Sequence, residues 1–457
     1  MSAASQLAAG TCRFEGISVV TVDQVPARRL STEHDTWARQ SPERNETWSR
    51  AEQFLAVAGT ALIAMRVQLT PQLLTAGDLM VIATFPLWFP VTKRYLGTRT
   101  WLFLGLLCIP VGLVLSTLNA VDHQIRLGTS ATSTILLLSL LFSVGFMLWA
   151  KERLSQGALV ASFGLGLLLG ISTTSALFST NPWKFGYSLP VSILALGLAQ
   201  MSKRRGSELL VAIALCIVST LTDARSAFAL FLLTAALLAW QMRPKVSSRK
   251  GSAFRAVAGI GIIAVVVYNL GQALILDGFL GKATQQRTVQ QISDSGSLIL
   301  GGRPEIAATA NLMRVNPLGF GSGTIPNYND IRAAKQGMAY IGYDPNNGYV
   351  EKWMFGHGYA LHSTFGDLWA IYGFVGLVFV GFMLTLVLRR LGTALVARAA
   401  SGALIFASAL TMWNIFFAPF YSGLRMLILV MALALIAKPA PPPDPLARPR
   451  RRYWPVN

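Results

Sequence analysis

The stretch SATSTILLLSLLFSVGFMLWAKER, residues 130–153, settles the class of fold. From Ser130 to Ala150 it carries no charge, and it then runs into Lys151, Glu152 and Arg153. Coiled as a helix, such a run extends about 30 Å at about 1.5 Å per residue, which is the depth of a bilayer's hydrocarbon core. Trp101 to Asn119 and Phe254 to Leu276 are apolar stretches of comparable length. Together the three exclude a peripheral protein and predict an all-α polytopic membrane protein.

Composition agrees. Of 457 residues, 53% are hydrophobic and 13% charged, and the mean hydropathy of +0.50 is too high for a soluble chain of this length. The net charge of +19 is spread through short loops and forms no continuous patch, so a nucleic-acid partner is not expected. Cys12, Cys108 and Cys216 lie far apart, two of them in apolar segments, which predicts neither a disulfide framework nor a cysteine metal site.

Apolar segments recur near 53–68, 72–91, 101–119, 130–150, 156–178, 186–201, 207–222, 226–241, 254–276, 363–388, 399–419 and 422–437, predicting about twelve transmembrane helices. The resulting organisation is a polar tail (1–50), helices one to nine (51–276), a long hydrophilic loop (277–361), helices ten to twelve (362–438) and a Pro- and Arg-rich tail (439–457). With both tails in the cytoplasm, 27 of the 39 Lys and Arg fall on the inner side, among them Lys93 and Arg94, Lys203 to Arg205, and Arg389 and Arg390. The alternation obeys the positive-inside rule and puts the long loop outside. Loops of that length tend to carry function.

Within the loop, GGRPEIAATANLMRVNPLGFGSG (301–323) reads as a turn, a helix and a second turn, with Pro304 at the first helical position. That sets Arg303 at a helix N-terminus, where backbone N–H groups and a guanidinium together favour phosphate. On this feature alone a surface arginine is the simpler reading. Arg314 lies on the same helical face, but about 16 Å along the axis separates it from Arg303, too far for one diphosphate to engage both. NPLGFGSG (316–323) lacks the Lys and Ser/Thr of a P-loop and reads as a turn allowing close backbone approach. Arg225, in LTDARSAFALFLL (221–233), sits at a short outer turn, where a substrate contact and pairing with Asp223 or snorkelling are equally good readings. In FGHGYALHSTFGDLWAIYGFVG (355–376), His362 precedes the plausible helix caps Ser363 and Thr364 and can take a proton near neutral pH, while His357 and Asp367 are further candidates.

TDARSAF (222–228), then GGRPEI and NPLGFGSG, then LHSTFGDLWAIYGFVGL (361–377) together resemble the O-antigen ligase and O-antigen (Wzy-type) polymerase superfamily of bacterial surface-polysaccharide assembly. That superfamily shows a His-Asn or His-Ser pair followed eleven residues later by Gly, here His362, Ser363 and Gly373. The resemblance implies a GT-C-like, inverting glycosyltransferase of the bacterial inner membrane that needs no metal and no other cofactor. Its donor would be a glycan on a polyprenyl diphosphate and its acceptor a hydroxyl of a glycolipid or glycan. Arg225 and Arg303 would bind the diphosphate, and His362 would be the base. The chain departs from the common pattern in carrying Ser363 rather than Asn and no Trp after GGRPEI, which weakens assignment to a subfamily; a ligase is the reading taken, with a polymerase using a second polyprenyl-linked glycan as the alternative.

The chemistry is self-consistent. A diphosphate leaves without protonation if charge is stabilised, and two arginines could each contribute about 2–4 kcal/mol to the transition state. A general base adds about 100- to 10,000-fold. A lipid-linked glycan flippase or transporter is the alternative of another class, although no internal repeat is visible. A metal-dependent polyprenyl-phosphate glycosyltransferase would carry acidic residues in the first outer loop, and Val67 to Pro71 has none.

Overall fold

The computed structural model describes residues 49–70, 74–243, 303–356 and 358–439, with the single positions 261, 285, 286 and 289. These belong to one compact unit spanning 47–457. The expectations for the two tails, for the segment 254–276, for the start of the loop and for His357 lie outside the described residues.

Helix α1 (Arg50–Met65) opens on a capping box formed by Ser49 and Glu52. After it come α2 (Ala76–Ala83), α3 (Phe85–Thr92), α4 (Thr98–Asn119), α5 (Leu127–Arg153), α6 (Gln156–Leu169), the short α7 (Ala176–Thr180) with a π-helical turn at Trp183–Tyr187, α8 (Ser188–Met201), α9 (Arg205–Leu221) and α10 (Arg225–Met242). The later elements are α11 (Glu305–Val315), α12 (Tyr328–Ala339), a π-helical turn at Val350–Met354, α13 (Thr364–Val396), α14 (Gly402–Phe417) and α15 (Phe420–Ala434). The described strands are β1 (Gln124–Ile125) and β2 (Thr324–Ile325), paired antiparallel. Helices α4, α5, α10 and α13 are long and apolar enough to cross a membrane, and α6, α9, α14 and α15 are shorter apolar helices. The chain is an all-α membrane protein.

Three helix boundaries differ from the sequence reading. Within the segment 72–91 the described residues form two helices that part at Thr84, because Pro86 cannot donate to the preceding turn, while Pro90 lies inside the second helix. The freed Val81 carbonyl accepts from the Trp88 indole at 2.8 Å. The segment 156–178 ends its helix at Leu169, where Gly170 closes the last turn. The segment 363–388 continues to Val396 but breaks inside, at Gly373, whose φ of 58° and ψ of −144° are not helical.

Lipid offers no hydrogen bonds, so helix ends must find partners within the protein. Glu208 of α9 accepts from the Gly402 amide that opens α14. Lys151 of α5 donates to the Ala432 and Leu435 carbonyls at the close of α15, at 2.8 and 2.9 Å. Gln241 near the end of α10 exchanges two hydrogen bonds with Ala400, just before α14. With the Phe231 and Phe406 rings stacked 4.7 Å apart, those bonds run α10 antiparallel to α14. Arg225 at the start of α10 therefore lies at the end of the bundle where α14 finishes at Phe417.

The loop 316–323 crosses the bundle at the break in α13. Phe320 N and Gly321 N both donate to the Ala370 carbonyl, at 2.7 and 2.9 Å, and Ser322 N donates to Gly112 O of α4 at 3.0 Å. The Asn119 side chain donates to the Gly319 and Phe320 carbonyls, and the Trp369 indole to Pro317 O. Gly319 and Gly321 take φ of 88° and 105°. A Cβ on Gly321 would meet Ser116 N at 2.3 Å, and one on Gly373 would meet Leu318 O at 2.5 Å. The glycines thus permit close backbone approach, and the loop forms a second small core in which Phe320 stacks on Tyr359 at 4.1 Å.

That second core is tied to the α4–α5 connection by the β1–β2 ladder and by His123. Its Nδ1 lies 2.5 Å from Asp122 and its Nε2 2.9 Å from Asp330, which also accepts from the Tyr359 hydroxyl at 2.7 Å. Burial pushes the imidazole towards its neutral form, but the hydrogen bonds and charges of Asp122 and Asp330 outweigh it and raise the pKa. A raised folded pKa contributes stability that is present below the unfolded value of about 6.5 and is lost as pH rises through the folded one.

Two predictions follow for thermal unfolding in detergent. As pH rises above about 6.5, the melting midpoint of the wild type should fall more than that of His123→Gln. Gly321→Ala should lower the midpoint, with about 1–3 kcal/mol from backbone strain and more from overlap. Gly381→Ala, where an added Cβ meets nothing within 4 Å, should leave it unchanged or raise it.

Candidate active site

The site is built where α11, α13, α14 and α15 meet. Pro304 holds φ −65° and serves as the N-cap of α11, so the helix begins at Glu305, one residue later than expected, and Arg303 immediately precedes the cap. The Arg303 guanidinium lies 6.0 Å from the centre of the Phe417 ring at the end of α14. It makes no hydrogen bond or ion pair among the described residues.

His362 precedes the N-cap of α13. Ser363 takes that cap, its hydroxyl accepting from Gly366 N at 2.9 Å. His362 itself is left-handed, with φ 52°. A non-glycine residue there is uncommon, and histidine is among those that tolerate it best. This turn aims the ring at Glu305 and Tyr349: Nδ1 stands 3.2 Å from the Tyr349 hydroxyl and 3.8 Å from Glu305 Oε1. The Tyr349 hydroxyl also makes a short hydrogen bond to Glu305 Oε1.

The electrostatics of this corner are set by burial. Burial pushes the His362 pKa down, the Glu305 carboxylate opposes that shift, and the Arg303 charge adds to it, so the imidazole is neutral at pH 7. The Tyr349 phenol is pushed far above its ordinary value, first by burial and then by its hydrogen bond to Glu305, so it keeps its proton. Glu305 is 6% exposed, and its second oxygen, Oε2, has no hydrogen-bond partner among the described residues. An imidazole shifted towards its neutral form, a protonated phenol, a buried carboxylate and a guanidinium with no hydrogen bond or ion pair among the described residues can together accept a proton and hold an anion.

The remaining sequence candidates separate. Asp367 is buried and spent on structure, accepting from Leu361 N at 2.6 Å and Phe420 N at 2.7 Å. Arg314 closes α11 and donates to Asn311 at 3.2 Å. Arg225 opens α10 and lines a small crevice with Ser219, Asp223 and Phe228, at the same end of the bundle as Phe417 but in no described contact with His362. Sequence reading passed over two residues of the site. Glu305, two positions after Arg303 in GGRPEI, could have been found as a carboxylate beside a candidate cation, whereas Tyr349 in a polar loop gave no signal.

No family model, curated protein or solved structure matches the chain.

Asp367→Ala should leave two buried amides unpaired, at about 1–3 kcal/mol each. The melting midpoint in detergent should drop, with Asp367→Asn, which keeps one acceptor, falling between the variant and the wild type.

Proposed function

We propose that this protein transfers a glycan from a polyprenyl diphosphate to an acceptor hydroxyl at the outer face of a bacterial inner membrane. It does so as a twelve-span protein with both tails in the cytoplasm. The observation that carries this reading is that His362 faces Glu305 and Tyr349 beside Arg303, whose guanidinium makes no hydrogen bond or ion pair among the described residues, at one end of an apolar bundle. A base and an anion-binding group are what the reaction needs there.

The bond changes assign each role. The acceptor hydroxyl gives its proton to His362 as its oxygen bonds the anomeric carbon, and the carbon–oxygen bond to the diphosphate breaks with the electron pair leaving on phosphate. Arg303 meets that developing charge, and Arg225 adds a second cation from the start of α10. The lipid chain stays between helices while its diphosphate lies at their ends. The basic opposite end supports the orientation: Arg94 pairs with Glu152 at 3.0 Å and Arg153 with Glu52 at 3.3 Å, beside Lys151.

Reconstitution with a polyprenyl-diphosphate oligosaccharide tests the reading, following lipid diphosphate release with and without a separate glycolipid acceptor. Transfer to the glycolipid identifies a ligase, and elongation of the donor pool a polymerase. Donor crossing the membrane without release identifies a flippase and overturns the proposal. His362→Ala and Arg303→Ala should each lower turnover by about 100-fold or more in correctly inserted protein, and Arg303→Lys by less, since it keeps the charge but loses the planar fork. Wild-type turnover in the alanine variants would refute the assignment.

A further inference from the structure

We infer that Glu305 is the positioning carboxylate of His362, acting through the Tyr349 hydroxyl to fix the proton on Nδ1 and leave Nε2 as the nitrogen that takes the acceptor's proton. This rests on the transferase reading for its chemistry, but not for its geometry.

A phenol has one proton to donate. In this corner it goes to Glu305 Oε1, in the short hydrogen bond between the two side chains. The Tyr349 oxygen can then only accept, and the group in place to donate is Nδ1 of His362, 3.2 Å away. A neutral imidazole carries one N–H, so with Nδ1 protonated the free pair sits on Nε2. Tyr349 cannot itself be the base, because burial and Glu305 both hold its proton on.

The chain also stabilises the imidazolium that forms on proton transfer. Glu305 Oε1 stands 3.8 Å from Nδ1, near enough to favour the charged ring directly as well as through the tyrosine. Its burial removes competing water, which strengthens that attraction. Glu305 Oε2 is buried and has no hydrogen-bond partner among the described residues, so the carboxylate's ties within the corner run through Oε1. When the imidazolium returns its proton to water the chain is restored, and no net proton is held by Glu305 or Tyr349 at any stage.

The first readout is independent of turnover. Carbethoxylation of His362 by diethyl pyrocarbonate, followed by peptide mass mapping across a pH series, gives its protonation midpoint in the full-length protein in detergent. Glu305→Gln should move that midpoint down by about one pH unit, and Tyr349→Phe should move it the same way by less. In the transfer assay Glu305→Gln should lower kcat by about 10- to 100-fold with KM little changed, and its acid limb should shift to lower pH in step. A midpoint that stays at the wild-type value in both variants overturns the relay, even if His362→Ala is inactive. A shifted midpoint in a protein whose His362→Ala variant still turns over would instead sustain the relay and refute the transferase reading. Should Glu305→Gln fail to fold, Tyr349→Phe alone decides, since only the bridging oxygen is lost.

Discussion

The Asp367 carboxylate holds the candidate site together. Buried in the first turn of α13, it accepts from Leu361 N on one side and from Phe420 N on the other. One side chain thus joins the end of the segment before α13 to the start of α15. A polar group in such surroundings is tolerable only when it is hydrogen-bonded, and an amide meets each of its two oxygens. Leu361 adjoins His362, so the same bond that closes a helix terminus also sets the position of the imidazole.

Similar economies recur through the bundle. Glu208 receives the first amide of α14, Lys151 covers the last carbonyls of α15, and Gln241 pairs with Ala400. Each of these three side chains meets the open end of another helix. The break at Gly373 follows the same logic, since the nearby Ala370 carbonyl is taken up by two amides of the loop 316–323. The loop is therefore fastened to the membrane helices by backbone hydrogen bonds, which a surface appendage would not need. Its small core can present Arg303, Glu305 and Tyr349 against the end of α13 without a rigid scaffold of its own.

Rigidity at this corner matters for proton transfer. The left-handed turn at His362, the Ser363 cap and the Tyr349 contact leave the ring few orientations. The two carboxylates nearest the histidine are divided between tasks. Asp367 accepts from two amides and supports the backbone, whereas Glu305 faces the ring and its Oε2 has no hydrogen-bond partner among the described residues. Neither exposure nor sequence position would separate those roles, because both residues are almost fully buried and both open a helix.

The sequence by itself determined that the chain is helical and lives in a membrane. Lipid acts on each residue in turn, so the uncharged run from Ser130 to Ala150 is decisive without knowledge of any neighbour. It also drew attention to Arg303 and His362, and it read the glycines of NPLGFGSG as a place of close backbone approach. Proline chemistry could have divided the segment 72–91, where Pro86 denies the preceding turn a donor. What only the tertiary structure decided is which polar groups meet. Tyr349 has no local signature, Glu305 looks like an ordinary first-turn acid, and Asp367 looks like a candidate base until its two amide partners are seen. Hydropathy sums along a chain, whereas a hydrogen bond depends on two groups brought within about 3 Å by everything that packs around them.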